Sequence, residues 1–187
     1  WCAAVAIALL DQGTKQLVEA RLGHAQIIPV TAFFNLVHVW NSGAAFSLLA
    51  DAGGWQRWFF IALATGVSAW LALALIKPRL PLEAAAYCLI LGGALGNLTD
   101  RVFRGYVVDS LDFHWGGWHW PAFNLADLAI TLGVGFLLLS AAFADVPELE
   151  LGAVSPGVRA TIRHLGARRS RVRLDLPHQY ETSRRER

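Results

Sequence analysis

The sequence contains no methionine, only two cysteines and few charged residues. A charged fraction of 16% beside a hydrophobic fraction of 55% excludes an ordinary soluble domain and favours a membrane protein. A formal net charge of only +2 gives no chain-wide basic field, so we expect no nucleic-acid partner. Cys2 and Cys88 lie in apolar segments without CxxC spacing, and the histidines have no ligand-like spacing. We therefore expect neither a metal nor another cofactor.

Four apolar stretches have about the 20 residues that crossing a bilayer requires. They cover residues 1–18, 55–76, 82–102 and 122–143. The first begins without a methionine, so we expect the first helix to be truncated at its N-terminus. Gly92 and Gly96 form a GxxxG step for close helix packing, and Pro121 stands where a first-turn proline is favoured. The pattern predicts an all-α membrane protein with four transmembrane helices.

Basic residues predict the orientation of these helices. Lys77 and Arg79 follow the second stretch, and nine of the 16 Lys and Arg residues lie between Arg159 and Arg187, on the same side by parity. Because basic flanks favour the cytoplasm, we expect both termini there. Residues 145–187 are rich in Arg and poor in aromatic residues, which predicts a disordered cytoplasmic tail after a transmembrane domain of residues 1–144.

Two loops, residues 21–54 and 105–120, would then be extracytoplasmic. Residues 35–40 alternate as a strand does, and residues 106–113 form another strand-like run, so we predict a small extracytoplasmic β-sheet. Tryptophans near these loops form the aromatic belt expected at a lipid headgroup boundary, and direct contact with substrate is the alternative role. They are Trp55, Trp58, Trp115, Trp118 and Trp120.

Asp127 lies about six residues into the fourth stretch, counted from Pro121. A charged residue at the centre of a membrane helix costs about 2.5–3.5 kcal/mol, so intramembrane acids usually face a protein interior and mark function. Asn124 is three residues earlier on the same helical face, and its amide could hold the carboxylate. The alternative is that Asp127 only accepts a first-turn amide hydrogen near the helix N-terminus.

Asp109 and Asp112 are both candidates for a second acid at the same place. On one strand they point to opposite faces, and their spacing alone does not choose between them. Two converging carboxylates cannot both ionise cheaply, so one holds a proton while the other is charged. Such a pair can activate water and protonate a leaving amine, which is the chemistry of aspartyl proteases.

Further polar residues could support this site. Asn97 and Arg101 are four apart on one helical face, so Arg101 could approach the acids or a lipid phosphate. Asp11 and Lys15 form an i, i+4 pair, a pattern that is more often structural. Asp100 either belongs to the site or only pairs with Arg101 at the helix end.

Three classes of function fit these residues: a membrane aspartyl endopeptidase, a transporter in which Asp109 and Asp127 relay protons, and an assembly factor in which both acids are dispensable. A relay distributes its acids through the depth of the membrane. Here the acids gather at one side beside a polar loop, which favours the peptidase.

Five segments, in order, resemble the motif blocks of the lipoprotein signal peptidases, the signal peptidase II family. They are DQGTK (residues 11–15), NSGAAFS (41–47), GGALGNLTDR (92–101), VVDSLDF (107–113) and PAFNLAD (121–127). The resemblance covers residues 1–143. It implies four membrane helices with both termini in the cytoplasm, a small extracytoplasmic sheet that cradles substrate, and a lid-like role for residues 21–54.

The resemblance also implies a site and a reaction. The catalytic dyad would be Asp109 and Asp127, which chooses Asp109 over Asp112. The supporting polar residues of the family match Asp11, Lys15, Asn41, Asn97, Arg101 and Asn124. The reaction would be hydrolysis of the peptide bond just before the diacylglyceryl-cysteine of a bacterial prolipoprotein. The partners would be this lipid-modified substrate and membrane lipids, and we expect a monomer in the bacterial inner membrane with its active site on the periplasmic side.

Overall fold

The computed structural model describes residues 1–43 and 53–144. Within these ranges the chain forms α1 (Cys2–Arg21), β1 (Ile27–Thr31), β2 (Phe34–Asn41), α2 (Trp55–Ala74), α3 (Pro81–Phe103), β3 (Val107–Trp115), β4 (Trp118–His119) and α4 (Leu125–Ala144). The predicted tail of residues 145–187 lies outside the described residues. So do residues 44–52, which belong to the predicted lid-like loop and include the end of the NSGAAFS motif.

Three helices in the described part of the chain are long and apolar enough to cross a membrane: Trp55–Ala74, Pro81–Phe103 and Leu125–Phe143. They match the second, third and fourth predicted stretches. The first predicted span, α1, is not among them, because it carries Asp11, Lys15 and Glu19 within its length. A fourth transmembrane helix therefore stays a prediction.

The central helix of the bundle is α3, which packs against α1, α2 and α4. Its glycines permit this close approach. A Cβ atom on Gly92 would lie 2.7 Å from the Ala4 carbonyl oxygen and from Ile7 Cβ, both on α1. Gly133 on α4 likewise leaves no room for a Cβ, which would lie 2.6 Å from Ile90 Cγ1 on α3. The predicted close packing at the GxxxG step is confirmed.

A four-stranded antiparallel sheet, in the order β1-β2-β3-β4, covers one end of this bundle. The two predicted strand-like runs became β2 and β3, which pair with Asn35 opposite Asp112 and Val39 opposite Asp109. β3 and β4 form a hairpin whose turn residues, Gly116 and Gly117, both have positive φ. Such φ values at both central positions are what a two-residue type I′ turn needs.

The chain remains extended between β4 and α4, contrary to the predicted helix start at residue 122. Phe123 exchanges two backbone hydrogen bonds with Leu111 of β3, of 3.0 and 2.9 Å. This pairing prevents Pro121 from lying in a helix, and α4 begins only at Leu125. Asp127 consequently lies in the first turn of α4, and the expectation that it stands about six residues into the helix is wrong.

Candidate active site

Asp109 lies on β3 with both carboxylate oxygens held by amides. Asn124 Nδ2 donates to its Oδ1 over 2.7 Å, and Asn41 Nδ2 donates to its Oδ2 over 3.1 Å. Asn41 pairs with Val107 across the two strands, so its side chain reaches Asp109 diagonally on the same face of the sheet. Only 2% of Asp109 is exposed, which makes it a buried acid with two neutral donors.

Asp127 is held by two different elements. Asn97 Nδ2 on α3 donates to its Oδ1 over 2.7 Å. Asn124 supplies the rest through a reciprocal cap: its backbone N–H donates to Asp127 Oδ2 over 3.3 Å, and its Oδ1 accepts the Asp127 N–H over 3.0 Å. The two interpretations of Asp127 are therefore both partly right, since it caps the first turn and also faces a polar site.

Asn124 connects the two candidate acids. Its side-chain nitrogen bonds Asp109, while its side-chain oxygen and backbone nitrogen bond Asp127. The sequence suggested that the Asn124 amide donates to Asp127, but that donor comes from Asn97 instead. One buried asparagine thus fixes a strand acid and a helix acid relative to each other.

The pKa values of Asp109 and Asp112, which both lie on β3, are shifted in opposite directions by their surroundings. Burial, followed by the neighbouring Asp127 carboxylate, raises the pKa of Asp109 to about 7. Burial alone would also raise the pKa of Asp112. Hydrogen bonds from Asn35 (2.8 Å) and His119 (2.9 Å) outweigh that effect and lower it. Asp109 is thus suited to hold a proton near neutral pH, whereas Asp112 is an ordinary charged carboxylate.

A buried ammonium group lies behind Asn97. Lys15 Nζ contacts Asp11 Oδ2 and Asp100 Oδ2, each at 2.8 Å, and donates to Asn97 Oδ1 over 2.9 Å. The Lys15 and Asp11 side chains are completely buried. Asp11 also accepts the Ala126 N–H over 2.9 Å, which ties α1 to the first turn of α4. The pair of Asp11 and Lys15 is therefore structural and at the same time part of the support for the acids.

Asp100 is more important to this site than its sequence context suggested. It pairs with Lys15 and, at 2.7 Å, with Arg104, and Gln12 Nε2 donates to it over 2.8 Å. Arg104 continues the network to Glu19 at 2.8 Å. The expectation of a simple Asp100–Arg101 pair at the helix end does not describe these contacts. The i, i+4 spacing of Asp100 and Arg104 is the sequence signal that indicates them.

Asp127 opens onto a cavity of about 450 Å³ beside these networks. Its polar lining includes Asn41, Asn97 and Arg101, whereas much of the remaining wall is apolar. Arg101 is anchored there by hydrogen bonds to the Gly43 carbonyl oxygen (2.7 Å) and the Asn97 carbonyl oxygen (3.3 Å). Asp109 does not line this cavity and lies behind Asn41 and Asn124. The site therefore offers one accessible acid, one buried acid and one nearby guanidinium.

The histidine, cysteine and acidic side chains of the described residues form no group of three or more placed to bind a metal ion. The polar groups that meet at this site are carboxylates, amides and cationic side chains. Their arrangement suits proton transfer to and from a substrate that enters the cavity.

Comparison with known proteins gives the same family as the motifs. A family model described as Signal peptidase (SPase) II matches residues 3–143. A lipoprotein signal peptidase of Serratia marcescens is 60% identical over 127 residues, which cover 68% of this chain and 75% of that protein. A lipoprotein signal peptidase of Azoarcus sp. (strain BH72) is 51% identical over 154 residues, or 82% of this chain and 88% of that protein.

The fold is also similar to that of a solved bacterial membrane enzyme, determined by the in meso method at 2.3 Å resolution. The TM-score is 0.72 at 30% identity, over 80% of this chain and 90% of the other. Residues 3–143, which the family model matches, contain the acids, the amides that hold them and the buried lysine. The chain belongs to the signal peptidase II family.

Proposed function

We propose that this protein is a membrane-embedded aspartyl endopeptidase that removes signal peptides from diacylglyceryl-modified bacterial prolipoproteins. It cleaves just before the lipidated cysteine, and Asp109 and Asp127 activate the attacking water. The observation that carries the proposal is the pair of acids joined by Asn124, with Asp127 facing the cavity and Asp109 buried behind it.

The two acids divide the chemistry between them. Asp109, with its pKa raised to about 7, holds a proton, and Asp127 acts as the base. Asp127 takes a proton from water as the oxygen attacks the scissile carbonyl. Asp109 protonates the carbonyl oxygen once the substrate displaces the Asn41 amide, which bonds Asp109 and lines the cavity. The resulting diol collapses when Asp127 returns its proton to the leaving amine nitrogen and Asp109 takes back a proton from a diol hydroxyl, which breaks the C–N bond and restores both acids. These steps use only the two carboxyl groups and water.

The supporting residues stabilise this arrangement. Asn97 and Asn41 orient one carboxylate each. Lys15 and Asp11 tie α1 to α3, which carries Asn97, and to α4, which carries Asp127. Arg101 places a positive charge at the cavity, where charge develops on the substrate carbonyl. The Asn41 and Asn97 amides are neutral donors, so they position the acids without competing for the proton.

The location of the site is consistent with the predicted orientation in the membrane. Asp127 stands at the N-terminal end of α4, and its donor Asn97 lies near the C-terminal end of α3, so the site is at one end of the bundle. Lys77 and Arg79 lie between α2 and α3, which is the opposite end by helix direction. We propose a monomer in the inner membrane with α1 as a fourth span, both termini cytoplasmic and the sheet periplasmic.

Cleavage of a purified diacylglyceryl-prolipoprotein by the full chain in nanodiscs tests this function. Mass spectrometry of the products should show one new fragment that begins with the lipidated cysteine. The same prolipoprotein without its lipid serves as the control substrate and should be cleaved much more slowly. Cleavage at another bond, or equal cleavage by a folded Asp127→Asn variant, would exclude the proposal.

A further inference from the structure

A second depression, here called the aromatic groove, lies on the sheet beside the active-site cavity. It has a volume of about 660 Å³. Its walls consist of His114 together with Phe33, Phe113, Trp115, Trp118, Trp120 and Phe123. Among the described residues, none that lines it is an Asp, Glu, Lys or Arg. The aromatic groove therefore suits an uncharged, apolar ligand.

The tryptophans of the β3–β4 hairpin have much of their surface free. Trp115 is 82% exposed and Trp118 is 62% exposed. Trp118 meets Trp120 edge to face at 5.9 Å between ring centroids, and Phe113 stacks on Phe123 at the same separation. The ring pairs give the groove ordered walls, although its surface is not covered by the described part of the chain.

The aromatic groove and the active-site cavity share a wall. Trp120 and Phe123 line both of them. The Phe123 carbonyl oxygen accepts the Ser110 N–H over 3.0 Å, and the next residue along the chain is Asn124. Ser110 directly follows Asp109 in the sequence. The groove wall formed by Phe123 therefore lies next to Asn124 and is bonded to the residue after Asp109. A part of the substrate that is bound in the groove would therefore lie close to the peptide bond that is cleaved.

The shape of the groove distinguishes the two apolar parts of the substrate under the proposed function, on which this inference rests. A signal-peptide apolar region of about ten residues forms a helix about 15 Å long and 10 Å wide, which needs a wide face to pack against. The groove instead consists of the flat faces of seven ring side chains on the β3–β4 hairpin and its neighbouring segments. An acyl chain is only one methylene wide and can lie along flat ring faces. The geometry points to the aromatic groove as the binding subsite for an acyl chain of the diacylglyceryl-cysteine.

This subsite makes a specific contribution to binding. A long acyl chain buries more apolar surface against the rings than a short one, which leaves most of the groove uncovered. The groove therefore lowers KM for long-chain substrates without taking part in the proton transfers at Asp109 and Asp127. We therefore expect KM, but not kcat, to depend on the length of the acyl chain through this groove.

The activity test compares a dipalmitoyl substrate with a dibutyryl one, using the full chain with Trp118→Ala or Phe33→Ala. We expect KM for the dipalmitoyl substrate to rise about tenfold in each variant, with kcat within about twofold and KM for the dibutyryl substrate unchanged. Trp58→Ala is the matched control, since Trp58 is 66% exposed on α2 and lies outside the groove. It should leave the selectivity between the two substrates intact.

Other outcomes overturn the subsite. An equal rise in KM for both substrates would show that the hairpin only anchors the protein to the membrane. A fall in kcat for both would show that the hairpin only maintains the fold. Unchanged kinetics in both variants would leave the groove without a role in substrate binding.

A binding measurement separates failure of the subsite from failure of the proposed function. Asp127→Asn protein is titrated with a diacylglyceryl-peptide whose acyl chains are brominated, and tryptophan fluorescence quenching is recorded. Trp118→Phe should remove about a third of the quenching, because Trp115, Trp118 and Trp120 all line the groove, whereas Trp58→Phe should leave the quenching unchanged. Quenching that is equally strong with brominated phosphatidylcholine would assign the groove to bilayer lipid instead. If the wild type cleaves neither substrate, the proposed function fails and this titration still decides the subsite.

Discussion

Lys15 determines which way the side-chain amide of Asn97 faces. The lysine ammonium donates to Asn97 Oδ1 over 2.9 Å, and Asn97 Nδ2 in turn donates to Asp127 over 2.7 Å. A reversed amide would place its nitrogen against the ammonium and its oxygen against a carboxylate. A fully buried cation on α1 thus controls the donor that orients an acid on α4.

Replacing Lys15 by methionine should destabilise the protein strongly. Asp11 and Asp100 would remain buried without the ammonium between them, and removal of one partner from a buried ion pair costs about 3–5 kcal/mol. The unfolding midpoint of the purified protein in detergent measures the effect. Lys77→Met is the matched control, because Lys77 is the other lysine of the chain and is exposed. Equal midpoints for the two variants would contradict the role of the buried network.

Replacing Gly96 by alanine should disturb the same network through packing. The new Cβ would lie only 3.0 Å from Asp11 Cγ, and Asp11 is held by Lys15 and the Ala126 N–H. Because Asp11 cannot withdraw, we expect a loss of about 1–3 kcal/mol in unfolding free energy. Gly135→Ala has open space around its Cβ and should be neutral or slightly stabilising. A stable Gly96→Ala protein would show that α1 adjusts more freely than these contacts indicate.

The pH dependence of cleavage should follow the raised pKa of Asp109. The protonated fraction of this acid falls as pH rises through about 7, so activity should decrease there. The apparent value belongs to the pair of acids. The log of kcat/KM against pH measures it. Asp112→Asn should keep the same alkaline limb, since the pKa of Asp112 is lowered and lies far from that range. Activity that stays constant from pH 6 to 9 would contradict a proton on Asp109.

Replacing Asn124 by alanine should move that alkaline limb to higher pH. The amide of Asn124 stabilises the charged form of Asp109, so its removal raises the pKa of Asp109 further. The helix cap is lost as well, at a cost of about 0.5–2 kcal/mol. Asn35→Ala removes a similar amide from Asp112 and should leave the limb in place. A shift to lower pH in Asn124→Ala would refute this assignment of the hydrogen bond.

Much of the architecture was predictable because it depends on local patterns. Apolar length indicated α2, α3 and α4, and alternation indicated β2 and β3. β1 was missed because Pro29 interrupts its apolar run, although Pro is tolerated on an edge strand. β4 was also missed, yet the Gly116-Gly117 pair between aromatic residues is a hairpin signal that could have shown it.

The site was harder to predict where long-range contacts decide the outcome. The start of α4 depends on the pairing of Phe123 with Leu111, which is twelve positions away in sequence. The spacing of Asn124 and Asp127 resembles a capping box and is a local signal that could have indicated this start. The choice of Asp109 over Asp112 came from the family motif. That choice stays a prediction. In the structure, Asn124 bonds Asp109, while Asn35 and His119 bond Asp112.

The most direct test of the central claim compares the cleavage rates of Asp109→Asn, Asp127→Asn and the double variant on a lipidated prolipoprotein. If the two carboxylates work as one unit, each single variant loses about 10³-fold or more in kcat and the double variant loses no more than either. Asp112→Asn, an identical change three residues along β3, should stay within a few-fold of wild type. Near wild-type cleavage by a folded Asp109→Asn or Asp127→Asn protein, or an equal loss in Asp112→Asn, would contradict the account.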